Sequence, residues 1–270
     1  MSFYTSLSGL RAAQTDLSVT SNNIANVGSV GFKRSRAEFG DMMPPSSASA
    51  GIGTRLKGIT QQFTQGNFET SSRELDLAIN GTGFFITRDE GGTGDTMFTR
   101  DGSMTINASR FLVDSKGANL QAFPVDASGA PTATDLASSI SIQVPETNAA
   151  TGARLSDLSI DAEGLITASY SDGSTEPLGR IAIASFSNPA GLRQQGDGRW
   201  SVTGESGVAV TGTPKSDGFG AVQTGALERA NVDLTEELVA LIAAQRNFQA
   251  NAKAIETANA LTQTVTNLRS

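Results

Sequence analysis

The two ends of the chain carry apolar residues at helical spacing. In the C-terminal stretch from Leu227 to Leu268, apolar residues recur at steps of three and four, and no Gly or Pro follows Gly225. The apolar positions, which run from Leu234 to Leu268, predict a helix of about 50 Å with one apolar stripe. Asp233 can cap the first turn, where Glu236 and Glu237 complement the helix dipole. The other faces are polar, so the stripe needs a partner.

A second amphipathic helix is predicted over residues 3–27. Its stripe is narrow, as in a coiled-coil seam, although Gly9 weakens the helix by about 1 kcal/mol relative to Ala. Gly28 and Gly31 end the helix. We expect the two terminal helices to pair with each other. Because the C-terminal helix is longer, part of its stripe should remain uncovered.

The middle of the chain has the pattern of β-structure. Residues 31–70 are turn-rich in part and predict an extended linker. From 71 to 226, short alternating segments are separated by Gly, Asp-Gly and Asn-Pro turns. The predicted fold class is therefore α+β. N- and C-terminal α-helices (1–30 and 227–270) pair as a coiled coil, with a mainly-β domain, a short-stranded sandwich or barrel, between them.

The amino-acid composition excludes most of the common catalytic and metal-binding sites. The chain contains neither Cys nor His, so the commonest general base and the commonest metal ligands are absent. Asp-x-x-Gly segments such as Asp114–Gly117 and Asp126–Gly129 lack the ligand spacing of a calcium loop and predict turns. No nucleotide-binding or nucleophile motif is present. We expect no catalytic residue, no cofactor and no metal site.

Charge and hydropathy limit the possible partners. The net charge of −7 argues against nucleic-acid binding, even though Lys33, Arg34 and Arg36 form a short basic cluster. The longest apolar run, Leu238–Ala244, is too short to cross a bilayer, so we expect no membrane insertion. The N-terminus also lacks the pattern of a cleavable signal peptide.

The length of the C-terminal stripe favours packing between subunits. One small β-domain and a shorter helix cannot bury a stripe of about 50 Å. We therefore expect a subunit interface formed by the apolar positions of both helices. These are Leu7, Leu10, Leu17, Ile24, Leu234, Leu238, Leu241, Phe248, Ile255, Leu261, Val265 and Leu268.

Five segments, in order along nearly the whole chain, resemble the flagellar rod and hook axial protein family. They are SNNIANVGSVGFKRSRAEFGDM (21–42), DLAINGTGFFI (76–86), FTRDGSMTIN (98–107), SFSNPAGLRQQGDGRWSVTGESG (185–207) and GALERANVDLTEELVALIAAQRNFQANAKAI (225–255). Within the family, the segment 51–79 and the end of the chain resemble hook proteins. Hook proteins usually carry an extra outer domain, which here is reduced to a loop near 146–154. Distal rod proteins have the compact layout, so they are the alternative.

The resemblance implies a structural subunit that polymerises with itself into a hollow helical tube. The terminal helices would line its inner layer. The implied partners are the type III export apparatus, the hook cap, the distal rod and the hook–filament junction proteins, and the implied location is the flagellum outside the cell. A third hypothesis, a secreted β-domain enzyme or glycan binder with a helical stalk, has no motif in its favour.

Overall fold

The computed structural model describes residues 2–43, 51–89 and 94–268. The chain forms two compact units. The helical unit comprises Met1–Val27, Lys33–Gln62 and Val232–Ser270, and the β unit comprises Gly28–Phe32 and Phe63–Asn231. No helix among the described residues is long and apolar enough to cross a membrane.

The helical unit contains two helices and one hairpin. Helix α1 spans Ser2–Ala25 and helix α2 spans Leu234–Leu268. Strands β1 (Ser35–Met42) and β2 (Gly53–Gln61) pair antiparallel, with a bulge between Glu38 and Phe39. The sequence did not predict this hairpin, because its strands show no regular alternation of buried and exposed positions.

The C-terminal helix α2 begins at Leu234, seven residues later than its predicted start at Leu227. The side chain of Asp233 accepts hydrogen bonds from the backbone N–H groups of Thr235 and Glu236 at 2.8 and 3.1 Å, which is the predicted cap. Leu227 and Glu228, predicted as the start of the helix, instead belong to a strand that spans Ala226–Glu228. Apolar spacing alone cannot mark this boundary, since the cap decides where the helix starts.

The β unit is a layered arrangement of short antiparallel strands. The strands are β3 (Phe68–Thr70), β4 (Leu77–Asn80), β5 (Phe84–Arg88), β6 (Thr96–Thr99), β7 (Thr105–Ile106), β8 (Leu112–Val113), β9 (Asn119–Phe123), β10 (Ile140–Ser141), β11 (Leu155–Ile160), β12 (Leu165–Tyr170), β13 (Thr175–Ile181), β14 (Ile183–Ser185), β15 (Arg193–Gly196), β16 (Arg199–Ser201), β17 (Val210–Gly212), β18 (Ala221–Thr224) and β19 (Ala226–Glu228). The largest sheet follows the order β11-β12-β13-β9-β5-β6-β16-β15. In two smaller sheets, β4 pairs with β18 and β3 pairs with β19.

Strand β5 is buried on both faces, because successive side chains of a strand point to opposite sides of the sheet. Phe85 belongs to one hydrophobic cluster, while Phe84 and Ile86 belong to another. The second cluster includes Trp200, whose ring lies edge-on to Phe84 at a centroid distance of 5.7 Å. The predicted fold class, terminal helices that pack together and a mainly-β region between them, is confirmed.

Candidate functional site

A buried polar cluster joins α1, α2 and β1 within the helical unit. Asn23 is 2% exposed. Its Nδ2 donates to the Ser35 carbonyl at 2.9 Å and to Oε2 of Glu237 at 3.2 Å. Its Oδ1 accepts from the backbone N–H of Ser35 at 2.9 Å. One side chain thus holds the end of α1 to the start of the hairpin and to the first turn of α2.

Arg34 supplies the positive charge of this cluster. Its Nε lies 2.6 Å from Oε1 of Glu237, and its Nη1 lies 3.1 Å from Oε2 of Glu236. Glu237 is 1% exposed, whereas Glu236 is exposed. A buried carboxylate needs a paired charge, so Glu237 depends on Arg34 far more than Glu236 does. The sequence interpretation assigned Glu237 only to the helix dipole and did not include Asn23, although Asn23 lies inside the N-N-I-A-N motif.

The two helices are antiparallel with a defined register. Asn23 contacts Glu237 near one end, and Gly9 faces Asn251 further along. A Cβ at Gly9 would lie 2.6 Å from Oδ1 of Asn251, so glycine permits this close approach. The glycine that weakens the predicted helix therefore has a packing role.

This register leaves the end of α2 beyond α1. The contacts are fourteen residues apart on both helices, which places Ser2 beside Ala258. Residues 259–268, about 15 Å of helix, have no α1 residue opposite them. We call residues 259–268 the overhang.

The predicted interface residues differ in burial. Leu7, Leu10, Leu17 and Ile24 on α1 and Leu241 and Ile255 on α2 are half-buried, whereas Leu234, Leu238, Phe248 and Leu261 are exposed. The side chains of Val265 and Leu268 lie outside the described residues. Among the described side chains of α2, the most buried are those of Glu237 and Ala244. The side of α2 that faces α1 thus combines small and polar residues with the half-buried Leu241 and Ile255, while several large apolar side chains remain accessible.

Further exposed apolar residues were not among the predicted interface positions. On α2 they are Val239 and Ile242, and on the hairpin they are Met43, Ile52, Leu56 and Ile59. Val239 and Ile242 belong to the Leu238–Ala244 apolar run, of which only Leu238 and Leu241 were predicted as interface positions. Whether these surfaces contact another subunit remains a prediction.

The Asp-x-x-Gly segments form turns. Oδ1 of Asp126 accepts from the backbone N–H groups of Ser128 and Ala130, both at 2.9 Å. At Asp172, hydrogen bonds from the hydroxyls of Ser174 and Thr151 lower the pKa to about 2. No group of three metal-ligating side chains occurs among the residues that the structure describes. In the basic cluster, Lys33 is buried, Arg34 pairs with two glutamates and Arg36 is exposed.

Three family models match three separate parts of the chain. The model "Flagella basal body rod protein" matches residues 3–33, which include α1. The model "Flagellar hook protein FlgE/F/G D1 domain" matches residues 78–168 in the β unit. The model "Flagellar basal body rod FlgEFG protein C-terminal" matches residues 223–268, which include α2.

Full-length relatives are similar over nearly the whole chain. The flagellar basal-body rod protein FlgG of Bacillus subtilis is 35% identical over 284 residues, covering 99% of this chain and 98% of its own. FlgG of Agrobacterium fabrum is 33% identical over 275 residues, covering 95% of both chains. The flagellar hook protein FlgE of Escherichia coli is 28% identical over 407 residues, covering 100% of both. The chain therefore belongs to the family of flagellar hook and basal-body rod proteins, which are structural proteins of the bacterial flagellum and not enzymes.

Proposed function

We propose that this protein is the subunit of the flagellar hook. Copies of the chain polymerise into a hollow helical tube that transmits torque from the rod to the filament while it bends. The observation that carries the proposal is the helical unit, where one chain leaves the overhang and several large apolar side chains of α2 uncovered. Exposed apolar surfaces of this kind are typical of interaction sites.

A polymer explains why these side chains are left accessible. If one surface of the chain binds a different surface of the next copy, each added copy still has one unoccupied surface to which a further copy can bind. Such a head-to-tail interface that does not close into a ring produces a helical filament. The proposed partners are first of all other copies of this chain. The export apparatus, the hook cap, the distal rod and the hook–filament junction proteins follow from the hook assignment.

The assignment to the hook is supported by the sequence of 51–79 and of the C-terminal helix, and by the hook relative that aligns over 100% of both chains. The distal rod subunit is the second candidate. The rod relatives are more similar, at 33 and 35% identity, and their alignments of 275 and 284 residues match the length of this chain. The alignment with the hook relative extends over 407 residues, and residues 146–154 here form only a loop closed by a Thr147–Arg154 bridge.

Electron microscopy of the assembled polymer separates the two candidates. We expect purified protein to form tubes that curve, because a joint must bend, whereas a drive shaft stays straight. We also expect the gene to restore motility to a strain that lacks its hook subunit and not to one that lacks its distal rod subunit. If the tubes are straight and the gene restores motility only to the strain that lacks its distal rod subunit, the protein is the distal rod subunit and not the hook subunit.

The monomer should differ from the polymer at both ends of the chain. Without neighbouring subunits, α1 and α2 bury little apolar surface to offset the entropy of ordering them. We expect amides in 1–30 and 230–270 to exchange rapidly with solvent in the monomer, while strands β5 and β9 remain protected. In the polymer both ends should become protected. Full protection of both helices in the monomer would argue against assembly-dependent ordering.

A further inference from the structure

An apolar groove lies between α1 and the hairpin of the helical unit. Its volume is about 660 Å³. Tyr4, Leu7 and Arg11 line it from α1, and Ile52, Arg55 and Leu56 line it from the hairpin. Ser8 fixes this geometry, since its Oγ accepts a hydrogen bond from the backbone N–H of Thr54 at 3.2 Å.

The groove is on a different side of α1 from α2 of the same chain. Gly9 marks the side that faces α2. At 100° per residue, Tyr4 and Arg11 lie roughly 140° and 160° away from Gly9 around the helix. Helix α2 continues to Leu268, so its end cannot turn back into the groove of its own chain.

The overhang is a helical segment with an uncovered apolar side chain, which is what an apolar groove can bind. It is helical and has no α1 residue opposite it. Leu261 within it is 63% exposed. A helix with an uncovered apolar side chain is suited to bind in an apolar groove.

We propose that the groove between α1 and the hairpin binds the overhang of a second copy of this chain. This inference rests on the proposed function, and it identifies which two surfaces of the polymer subunit meet. Leu261 of one copy packs against Leu7 and Leu56 of the next. The interface is heterologous, because a groove on one copy contacts a helix end on the other.

The positions of both surfaces fit a filament. The register puts the overhang beyond the N-terminal end of α1, and the groove is formed by the N-terminal half of α1. Two parallel copies side by side, displaced by a short distance along their helix axes, bring one overhang onto the other groove. Repetition of such a displacement does not close into a ring, and together with a rotation about a common axis it builds a helical array.

The charges also agree with this pairing. Arg11 and Arg55 are exposed at the groove, and the described residues provide no ion-pair partner for either. Helix α1 has no acidic residue in its first turn, so its positive end is uncompensated. The overhang carries no charged side chain, and its helix C-terminus is partially negative, although Arg269 follows it in the sequence. The N-terminal half of α2, with its exposed Ile242, is a less suitable occupant of the groove. Arg246 lies one turn after Ile242 and would add a third positive charge beside the two groove arginines.

Disulfide cross-linking tests the pairing directly, because the chain contains no cysteine. Two single variants, Leu56→Cys and Leu261→Cys, are purified separately, one of them with a tag that changes its mass. They are mixed, polymerised and oxidised. We expect a cross-linked species that contains one chain of each kind, in the polymer and not in the monomer. Both residues are exposed, so neither substitution disturbs the core.

The matched control pairs Leu56→Cys with Ile242→Cys, an exposed apolar position nearer the other end of α2. Cross-linking with Ile242→Cys instead of Leu261→Cys would overturn the inference in favour of the other face of α2. Polymers without either cross-link would also overturn it while leaving the proposed function intact. Failure of the unmodified chain to polymerise would refute both.

A charge reversal provides a second, independent measurement. Arg55→Glu should raise the critical concentration for polymerisation about tenfold, because it places a negative charge beside the negative end of the incoming helix. Lys57→Glu is the control, since Lys57 is exposed on the same strand but does not line the groove. Equal effects of the two substitutions would show that net charge and not the groove is responsible.

Discussion

Replacement of Glu228 by alanine is expected to lower the free energy of unfolding of the β unit by about 3–5 kcal/mol. Glu228 is fully buried, and its Oε2 lies 3.2 Å from Nη1 of Arg100. Its Oε1 accepts a hydrogen bond from the backbone N–H of Gly66 at 2.8 Å, and its carbonyl accepts from that of Gly31 at 2.7 Å. The substitution leaves a buried guanidinium without its carboxylate.

Arg100 has no other acid to replace Glu228 in the described structure. Its guanidinium also contacts the carbonyls of Ile79 and Gly81 and the ring of Phe84, whose centroid lies 5.2 Å from the guanidinium carbon. Burial lowers the pKa of Arg100, and the charge of Glu228 opposes that effect. Typical domains are stable by only about 5–15 kcal/mol, so the loss would be a large fraction of the total.

Urea unfolding followed by tryptophan fluorescence measures this effect. Trp200 is the single tryptophan of the chain and is buried in the β unit, so its emission reports on that unit alone. The control is Glu163→Ala, which removes the carboxylate of the exposed Lys215–Glu163 pair. An exposed pair contributes little, so this variant should unfold like the parent. Equal urea midpoints for the two variants would show that the buried pair contributes no more than the exposed one.

Replacement of Glu237 by alanine is expected to raise the critical concentration for polymerisation about thirtyfold. Glu237 accepts from Asn23 and pairs with Arg34, and it is the acid buried between α1, α2 and β1. Loss of hydrogen bonds to a charged group costs about 2–3 kcal/mol, and 2 kcal/mol corresponds to about thirtyfold in an equilibrium constant. The helical unit must be ordered in the polymer, so the lost free energy weakens assembly and raises the critical concentration.

Glu236→Ala is the matched control, because Glu236 also contacts Arg34 but is exposed. It removes a charge of the same sign one residue away, from the same turn of α2. We expect its polymerisation, measured as the sedimented fraction at increasing protein concentration, to remain close to that of the parent. Two variants with the same critical concentration would exclude a specific role for the buried cluster.

Local sequence signals predicted both helices well. Apolar spacing of three and four indicated α1 and α2, and Asp233 caps α2 as its position suggested. The β-region was predicted from alternation and turn residues, and the turns at Asp114 and Asp126 are confirmed. These features depend on residues close together in the chain, so sequence reasoning could find them.

The hairpin and the polar cluster could not be predicted in the same way. Strands β1 and β2 are held by α1 through Asn23 and Ser8, which are 12 and 46 residues away from their partners Ser35 and Thr54. Asn23 and Glu237 are 214 residues apart. Such contacts have no periodic signature, and polar residues on a predicted helix are normally assigned to its solvent face.

By itself, the sequence determined that this chain has two terminal amphipathic helices, a mainly-β region and neither Cys nor His chemistry, because these properties follow from residue spacing and composition. Only the tertiary structure decided which parts of the apolar stripes remain accessible. The contacts of Asn23 with Glu237 and of Gly9 with Asn251 set one register. That register buries Glu237 and Ala244, half-buries Leu241 and Ile255, and leaves Leu234, Leu238 and Leu261 uncovered.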